Sequence, residues 1–489
     1  MQSIKRFVSS YLYDESAFRL SYILSLFFSS VCFIELPCQI ATGIFVVWSI
    51  FILSNNLLNK KVFKSINYSG ILIAFIISGL LTALIHANDN LPINLLMMYH
   101  VFICFFGFYG AYSNFDKEKL KAEMYTIFKI IVISATILSV LGLIIAIFFT
   151  KVELFGYYLG LRDNRYTGLY TNPNLSSFSS VIALVFCHYL IGKNDVKKPY
   201  KKVLSNFIIV LCIVSNVLAL LLSDSNSSLL FLIVYITTLL FFSLYRKDRG
   251  KKITQVLKHS LILLIVCSVG AFGMFFIRDM CQQGAEILIN NIHQTESKTD
   301  VSNAPLSDEF TEIGRGKDYE ISSGRIDSLK KAMVVYNKNP LFGIGKGNIV
   351  EYGNRYLAKG FNFTDLHNGY LTVLISTGTV GFTLFMIFAF MVAIRLIRKL
   401  SEVDTNDKSF PILFSMIVAY GVFSLFERAL LFDITFMVVV FWMILGYTMS
   451  FTVDTRKVNK RKFKVNKIDD FISKNKEVIR PINYMEYRE

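Results

Sequence analysis

The sequence predicts an all-α, polytopic integral membrane protein with about twelve transmembrane helices. Three observations carry that expectation. Of its 489 residues 54% are apolar and only 18% charged, against about 25% charged in an ordinary soluble protein. Mean hydropathy is +0.50. Apolar runs near the roughly 20 residues that a bilayer-crossing helix needs recur along the chain, and only eight prolines are present to break them. An outer-membrane barrel would show short alternating strands instead, and none stands out.

Taken in order, the apolar runs place spans near 20–36, 38–55, 68–87, 94–112, 124–150, 174–192, 203–222, 228–245, 258–277, 368–394, 410–427 and 432–453. Lys5, Arg6 and Arg19 accompany the first run. No small-residue cleavage site follows it, so it reads as a retained helix rather than a signal peptide. Basic residues then orient the bundle. "NKKVFK" (59–64), "DKEKLK" (116–121), "KNDVKKPYKK" (193–202), "YRKDRGKK" (245–252), "RLIRK" (395–399) and the tail "RKVNKRKFKVNK" (456–467) fall on one side. "HANDNLPIN" (86–94) and "SDSNSS" (223–228) fall on the other and carry no Lys or Arg. The positive-inside rule puts both termini in the cytoplasm. The formal net charge of +16 is then accounted for by topology and contact with anionic membrane lipids. It calls for no nucleic-acid partner. The seven cysteines, mostly within spans, form neither a disulfide framework nor a metal motif, and read as packing residues.

One connection is long. Residues 278–367 form a polar insertion that parity places outside, dividing the chain into spans one to nine (1–277), the extracytoplasmic loop (278–367), spans ten to twelve (368–453) and a basic cytoplasmic tail (454–489). "TESKTDVSNAPLSDEFTE" (295–312) is acidic and Ser-rich and reads as mobile. "GRIDSLKKAMVVYNKNP" (324–340) reads as a helix with Ile326, Leu329, Met333 and Tyr336 on one face. Ser322 or Ser323 would cap it and Asn339-Pro340 would stop it. The glycines of "PLFGIGKGN" (340–348) lack the bracketing strand and helix of a dinucleotide fingerprint. They read as a tight turn at the membrane surface or as a phosphate cradle. A second outer segment, 151–174, holds Arg162, Arg165 and an Asn-Pro-Asn turn.

Few polar groups can carry chemistry. His367 sits with Asn368 where the loop meets the tenth span. A neutral imidazole there can take a proton from a hydroxyl near neutral pH, or can serve as a structural hydrogen-bonding group at the helix neck. His86, His100, His188, His259 and His293 lack a comparable setting. Arg325 and Arg165 suit bidentate contact with phosphate oxygens. Loop salt bridges with Asp327 or Asp163 are the other reading. Lys346 adds a cation within the glycine segment. Glu427-Arg428, between the last two spans, is a charge pair at the membrane edge. It either pairs with itself or turns Glu427 inward to orient His367 or an arginine. No metal-ligand pattern, Walker loop or cofactor motif appears, so neither metal nor cofactor is expected.

"SSGRIDSLKKAMVVYNKNPLFGIGKGN" (322–348), "DLHNGYLTVLISTGTVGF" (365–382) and "RYTGLYTNPN" (165–174) together resemble the signature of the O-antigen ligase and polymerase superfamily. The resemblance implies a metal-independent, inverting glycosyltransferase of GT-C-like architecture in the bacterial cytoplasmic membrane. Its donor would be an undecaprenyl-diphosphate-linked glycan and its acceptor a glycan, glycolipid or protein hydroxyl. It assigns His367 to activation of the acceptor and Arg325 and Arg165 to the diphosphate. Asn368, Lys346 and Glu427 are expected in the substrate site beside them. Many members carry Ser-Arg after the seventh span, where this chain has Ser225-Asn226. The expected activity is that of a ligase, with a repeat-unit polymerase as the alternative. A lipid-linked-sugar flippase or transporter, or a membrane scaffold, are the readings from other classes. The asymmetric outer loop argues against a transporter built from repeats.

Overall fold

The computed structural model describes residues 11–58, 66–113, 117–154, 156–192, 199–248, 253–297, 313–314, 325–357, 366–400 and 408–452. Helices dominate: α1 (Glu15–Phe28), α2 (Glu35–Leu58), α3 (Ser69–Ile85), α4 (Leu91–Phe102), α5 (Lys117–Phe148), α6 (Pro173–Ile191), α7 (Pro199–Leu222), α8 (Asn226–Asp248), α9 (Ile253–Ser297), α10 (Arg325–Tyr336), α11 (Ile349–Tyr356), α12 (Gly369–Leu400), α13 (Ser409–Phe423) and α14 (Phe436–Met449). Among the described residues seven helical stretches are long and apolar enough to cross a membrane by themselves. This is a polytopic helical membrane protein, and each of the twelve apolar runs contains a helix.

Three features depart from the sequence reading. The first is a small antiparallel sheet in an otherwise helical fold, β1 (Lys151–Leu154), β2 (Tyr157–Arg162) and β3 (Arg165–Gly168). Asp163 and Asn164, at φ 52 and 58, make the two-residue turn between β2 and β3, the left-handed pair that matches strand twist. The second is α9, whose 45 residues run unbroken past the expected span end at 277 and far exceed the roughly 20 that cross a bilayer. The part of 295–312 read as mobile lies outside the described residues beyond Ser297. The third is the packing of α10. It spans the expected helix, but Ala332 and Val335 are its fully buried residues. Leu329 and Met333, expected on one face, are 45% and 37% exposed.

The helices pack as neighbours in space, α1 on α2, α5 on α6, α6 on α7, α8 on α13 and α3 on α12. Their core is aromatic. Trp442 is fully buried, packs against Phe105 and Phe388 and donates from Nε1 to Leu430 O at 2.7 Å. At the end of the bundle that carries the basic connections, Arg19 is 1% exposed. It grips Glu123 with two bonds of 2.7 and 2.8 Å, and Tyr447 donates to the same carboxylate at 2.8 Å. This buried pair ties α1, α5 and α14 together.

The glycine segment is tied to a break in α12. Gly378 has φ 64 and ψ −170 within that helix. The carbonyls of Ile375 and Ser376 accept from Ile344 N and Gly345 N at 3.0 Å each. The N–H groups of Thr379 and Val380 donate to Pro340 O at 2.8 Å and Leu341 O at 3.1 Å. Backbone groups freed by the break are thus satisfied by the loop, as burial in a membrane protein demands. A Cβ on Gly343 would fall on Gly378 N and Ile375 O, so both positions require glycine. This is the tight turn of the two sequence readings. Gly343 faces another backbone, and Gly345 and Gly347 face the Asn94 side chain.

Candidate functional site

Residues of the two segments expected outside gather at one end of the bundle. The α1–α2 turn pairs with the β3 connection through Val31 and Tyr170. The segment 341–352 docks on the α3–α4 turn. There Thr82 donates to Phe342 O at 2.5 Å, and Asn94 Oδ1 accepts from Gly347 N at 2.7 Å. His86 contacts Gly343 O through Nε2 and the Tyr352 hydroxyl through Nδ1, both at 3.1 Å. Tyr352 donates to Asp89 at 3.0 Å. Burial first, then the Asp89 carboxylate, push the Tyr352 phenol up to about 12, so it stays a donor at any physiological pH.

His367 occupies the neck of α12 in the left-handed region, φ 44. Such a conformation costs a non-glycine residue about 1 kcal/mol or more and persists because its surroundings hold it. Gly369 N donates to Ser424 O at 2.8 Å. Asn368 caps the helix by accepting from Leu371 N at 3.0 Å, and its Nδ2 donates to Leu425 O at 3.0 Å. The polar atoms of Asn368 therefore join α12 to the α13–α14 connection. The His367 side chain is 44% exposed, and its Nδ1 stands 3.5 Å from Glu427 Oε2.

Glu427 is buried at 7% exposure and turned inward. Its Oε1 accepts from Ser227 Oγ at 3.1 Å and from Asn174 Nδ2 at 3.5 Å. Asn174 Oδ1 in turn accepts from Arg165 Nη2 at 2.8 Å. A continuous line therefore runs from Arg165 through Asn174 and Glu427 to His367, joining β3, α6, the α13–α14 connection and α12. Arg165 also donates to Ser223 O at 2.9 Å and Asp224 O at 3.4 Å, while Asp163 lies 3.5 Å from Arg162. The neighbouring Arg428 turns away from Glu427 to Asp433, at 3.3 Å. Lys346 reaches the same Asp433 at 3.6 Å, so two cations share one carboxylate beside the His367–Glu427 pair. Of the residues singled out in the sequence, the structure brings together His367, Glu427 and Arg165, with Lys346 and Asn368 alongside. Arg325 opens α10, but its side chain lies outside the described residues.

Sequence reasoning missed Asn174, Ser227, Asp224 and Arg278. The first belongs to the Asn-Pro-Asn turn, where Asn172 caps α6 by accepting from Asn174 N at 2.7 Å. The tight turn 223–226 is the hub of the others, with Asp224 at φ 50. From α9, Arg278 meets Asp224 Oδ1 at 2.9 Å and Asn226 Oδ1 at 2.7 Å. A guanidinium thus reaches Asn226, delivered from another helix. The two-residue spacing of Asp224 and Asn226 was visible, but their partner, 52 residues beyond Asn226, was not. Among the described residues no group of three or more His, Cys, Asp or Glu is placed to hold a metal.

The family model described as O-antigen ligase matches residues 207–386. That stretch begins within α7 and ends within α12, and holds the 223–226 turn, Arg278, Lys346, Asn368 and His367. Arg165, Asn174 and Glu427 lie outside it. No curated protein matches the chain. Over that stretch, less than half of the chain, this polytopic helical membrane protein is similar to the O-antigen ligase family.

Proposed function

We propose that this protein transfers a glycan from a polyprenyl diphosphate, undecaprenyl diphosphate in bacteria, to an acceptor hydroxyl at the outer face of the cytoplasmic membrane, in the manner of an O-antigen ligase. The observation that carries this reading is the His367–Glu427 pair at 3.5 Å, held at a helix neck. With Nδ1 facing a carboxylate, the imidazole is oriented to accept a proton at Nε2. The acceptor O–H gives that proton to His367 as its oxygen bonds to the anomeric carbon. The bond from that carbon to the diphosphate oxygen breaks, and the diphosphate leaves with the electron pair. Attack opposite the leaving group inverts the anomeric centre. Holding the base at the membrane surface removes much of the entropic cost of alignment between two lipid-anchored reactants.

In this reading Lys346 and Arg428, which share Asp433, meet the departing diphosphate in exchange for part of that contact. Arg325, at the first position of α10, joins them by the resemblance. Arg165 acts through Asn174, keeping Glu427 in register with His367. No step calls for a metal. The test is purified protein in nanodiscs with a lipid-linked glycan, with and without a candidate acceptor. Acceptor-dependent release of polyprenyl diphosphate with formation of a glycosylated acceptor supports a ligase. Elongation of the lipid-linked glycan without a second acceptor would make the enzyme a polymerase. Absence of either product would overturn the proposal.

A further inference from the structure

The turn 223–226, between α7 and α8, is gripped from two sides. From β3, Arg165 takes its backbone, donating to the carbonyls of Ser223 at 2.9 Å and Asp224 at 3.4 Å. From α9, Arg278 takes its side chains. Its Nη1 meets Asp224 Oδ1 at 2.9 Å and Asn226 Oδ1 at 2.7 Å. One helical turn further on, Gln282 Nε2 donates to Leu221 O at 3.1 Å. This part of α9, beyond the expected span end at 277, is itself fixed. Glu286 accepts from Ile313 N at 2.6 Å, and Gly314 N donates to Asn164 O at 2.6 Å, in the hairpin that carries Arg165. The helix is therefore a post against which the turn is set.

The turn leads directly to the base. Asp224 has φ 50, a left-handed backbone that persists where its surroundings hold it. Ser227 directly follows Asn226, and Ser225 Oγ stands 3.2 Å from Ser227 Oγ. Ser227 Oγ donates to Glu427 Oε1 at 3.1 Å, and Glu427 Oε2 stands 3.5 Å from His367 Nδ1. Arg278 is poorly placed to bind an anion itself. Its Nη2 and Nε face Asp279 at 2.9 Å each. A diphosphate there would meet two carboxylates, Asp224 and Asp279, beside a guanidinium only 16% exposed, which is unfavourable.

We propose that Arg278 is a positioning residue for the base: it sets the 223–226 turn so that Ser227 holds Glu427 against His367. Its effect on rate rests on the transfer reaction above. Its effect on the geometry of His367 does not.

Wild type, Arg278→Ala, Glu427→Gln and the double variant are compared in nanodiscs. In transfer, Arg278→Ala should lower kcat about tenfold and leave the donor KM unchanged, because no substrate contact is lost. Glu427→Gln removes the carboxylate through which Arg278 acts, so adding Arg278→Ala to it should cost less than about twofold. Asn226→Ala breaks one arm of the grip and strands no buried charge, so it serves where Arg278→Ala fails to fold. It should lower kcat about threefold and likewise lose its effect beside Glu427→Gln. A raised donor KM, with equal losses in both backgrounds, would make Arg278 a substrate-binding residue and overturn the proposal. An unchanged kcat in both single variants would overturn it as well. Diethyl pyrocarbonate reads the geometry without turnover, with modified peptides mapped by mass spectrometry. Released from the carboxylate, His367 should be modified faster in Arg278→Ala and in Glu427→Gln, and no faster again in the double variant. Unchanged modification of His367 in Arg278→Ala would contradict positioning. This arm reads the same whether or not the wild type transfers glycan, so failure of the transfer reading is told apart from failure of this one.

Discussion

At the scale of single residues, the account turns on how one imidazole is held. The Glu427 carboxylate is fixed by Ser227 and Asn174 on one oxygen and presents the other to His367. Glu427→Gln keeps the size and one acceptor oxygen but removes the charge that stabilises the imidazolium formed in the reaction. Transfer should fall by at least about tenfold, or 1.4 kcal/mol of barrier, while abundance stays at the wild-type level. An unchanged rate would show that Glu427 only anchors the connection. The histidine itself was legible, because a polar pair at the mouth of an apolar run is conspicuous. Its partners were not. Asn174 and Glu427 are 253 residues apart, and no periodicity links a turn before α6 to a connection after α13. Asn368 was conspicuous for a different reason, since an N-cap needs that residue type whether or not it touches substrate.

At the scale of elements, the broken span and the glycine segment form one unit. Four backbone hydrogen bonds join them across Gly343 and Gly378, and each glycine backs onto the other's backbone. Gly343→Ala should lower the melting temperature and abolish transfer, through a left-handed penalty of about 1 kcal/mol or more and loss of the docked loop. Gly270→Ala, on α9 where a Cβ meets nothing within 4 Å, is the control and should do neither. A thermally stable, active Gly343→Ala would show that the clamp is dispensable. The motif was readable in sequence as a turn, but its partner in a span was not. The helix of α10 was legible from its periodicity. Which of its residues are buried was not, because the spacing shows a shared face without showing what that face meets. The sheet escaped notice because its strands are 4 to 6 residues long, below what alternation can reveal. The extent of α9 escaped notice because hydropathy reports where a span ends and not where a helix does.

At the scale of the whole molecule, hydropathy located a helix in every expected span, since burial of backbone in lipid leaves little other choice. The same scale holds the orientation. Asp163, 86% exposed on the hairpin turn, and Glu118, 78% exposed at the opposite end, can each be changed to cysteine after the native thiols are replaced. Asp163→Cys should react with an impermeant maleimide in intact cells and Glu118→Cys only after lysis. The reverse pattern would invert the topology and remove the site from the outer face. Stability at the basic end rests on the Arg19–Glu123 pair. Arg19→Ala leaves a buried carboxylate unpaired and should destabilise the bundle by about 3–5 kcal/mol, read as loss of folded protein on extraction.

The central claim is that His367 is the base, and the transfer rate of His367→Ala with saturating lipid-linked glycan and acceptor tests it most directly. The side chain is 44% exposed, so its loss should leave insertion and abundance near wild type. The account predicts a fall of about 10²- to 10⁴-fold, partly restored by added imidazole. A variant that transfers at close to the wild-type rate would contradict it.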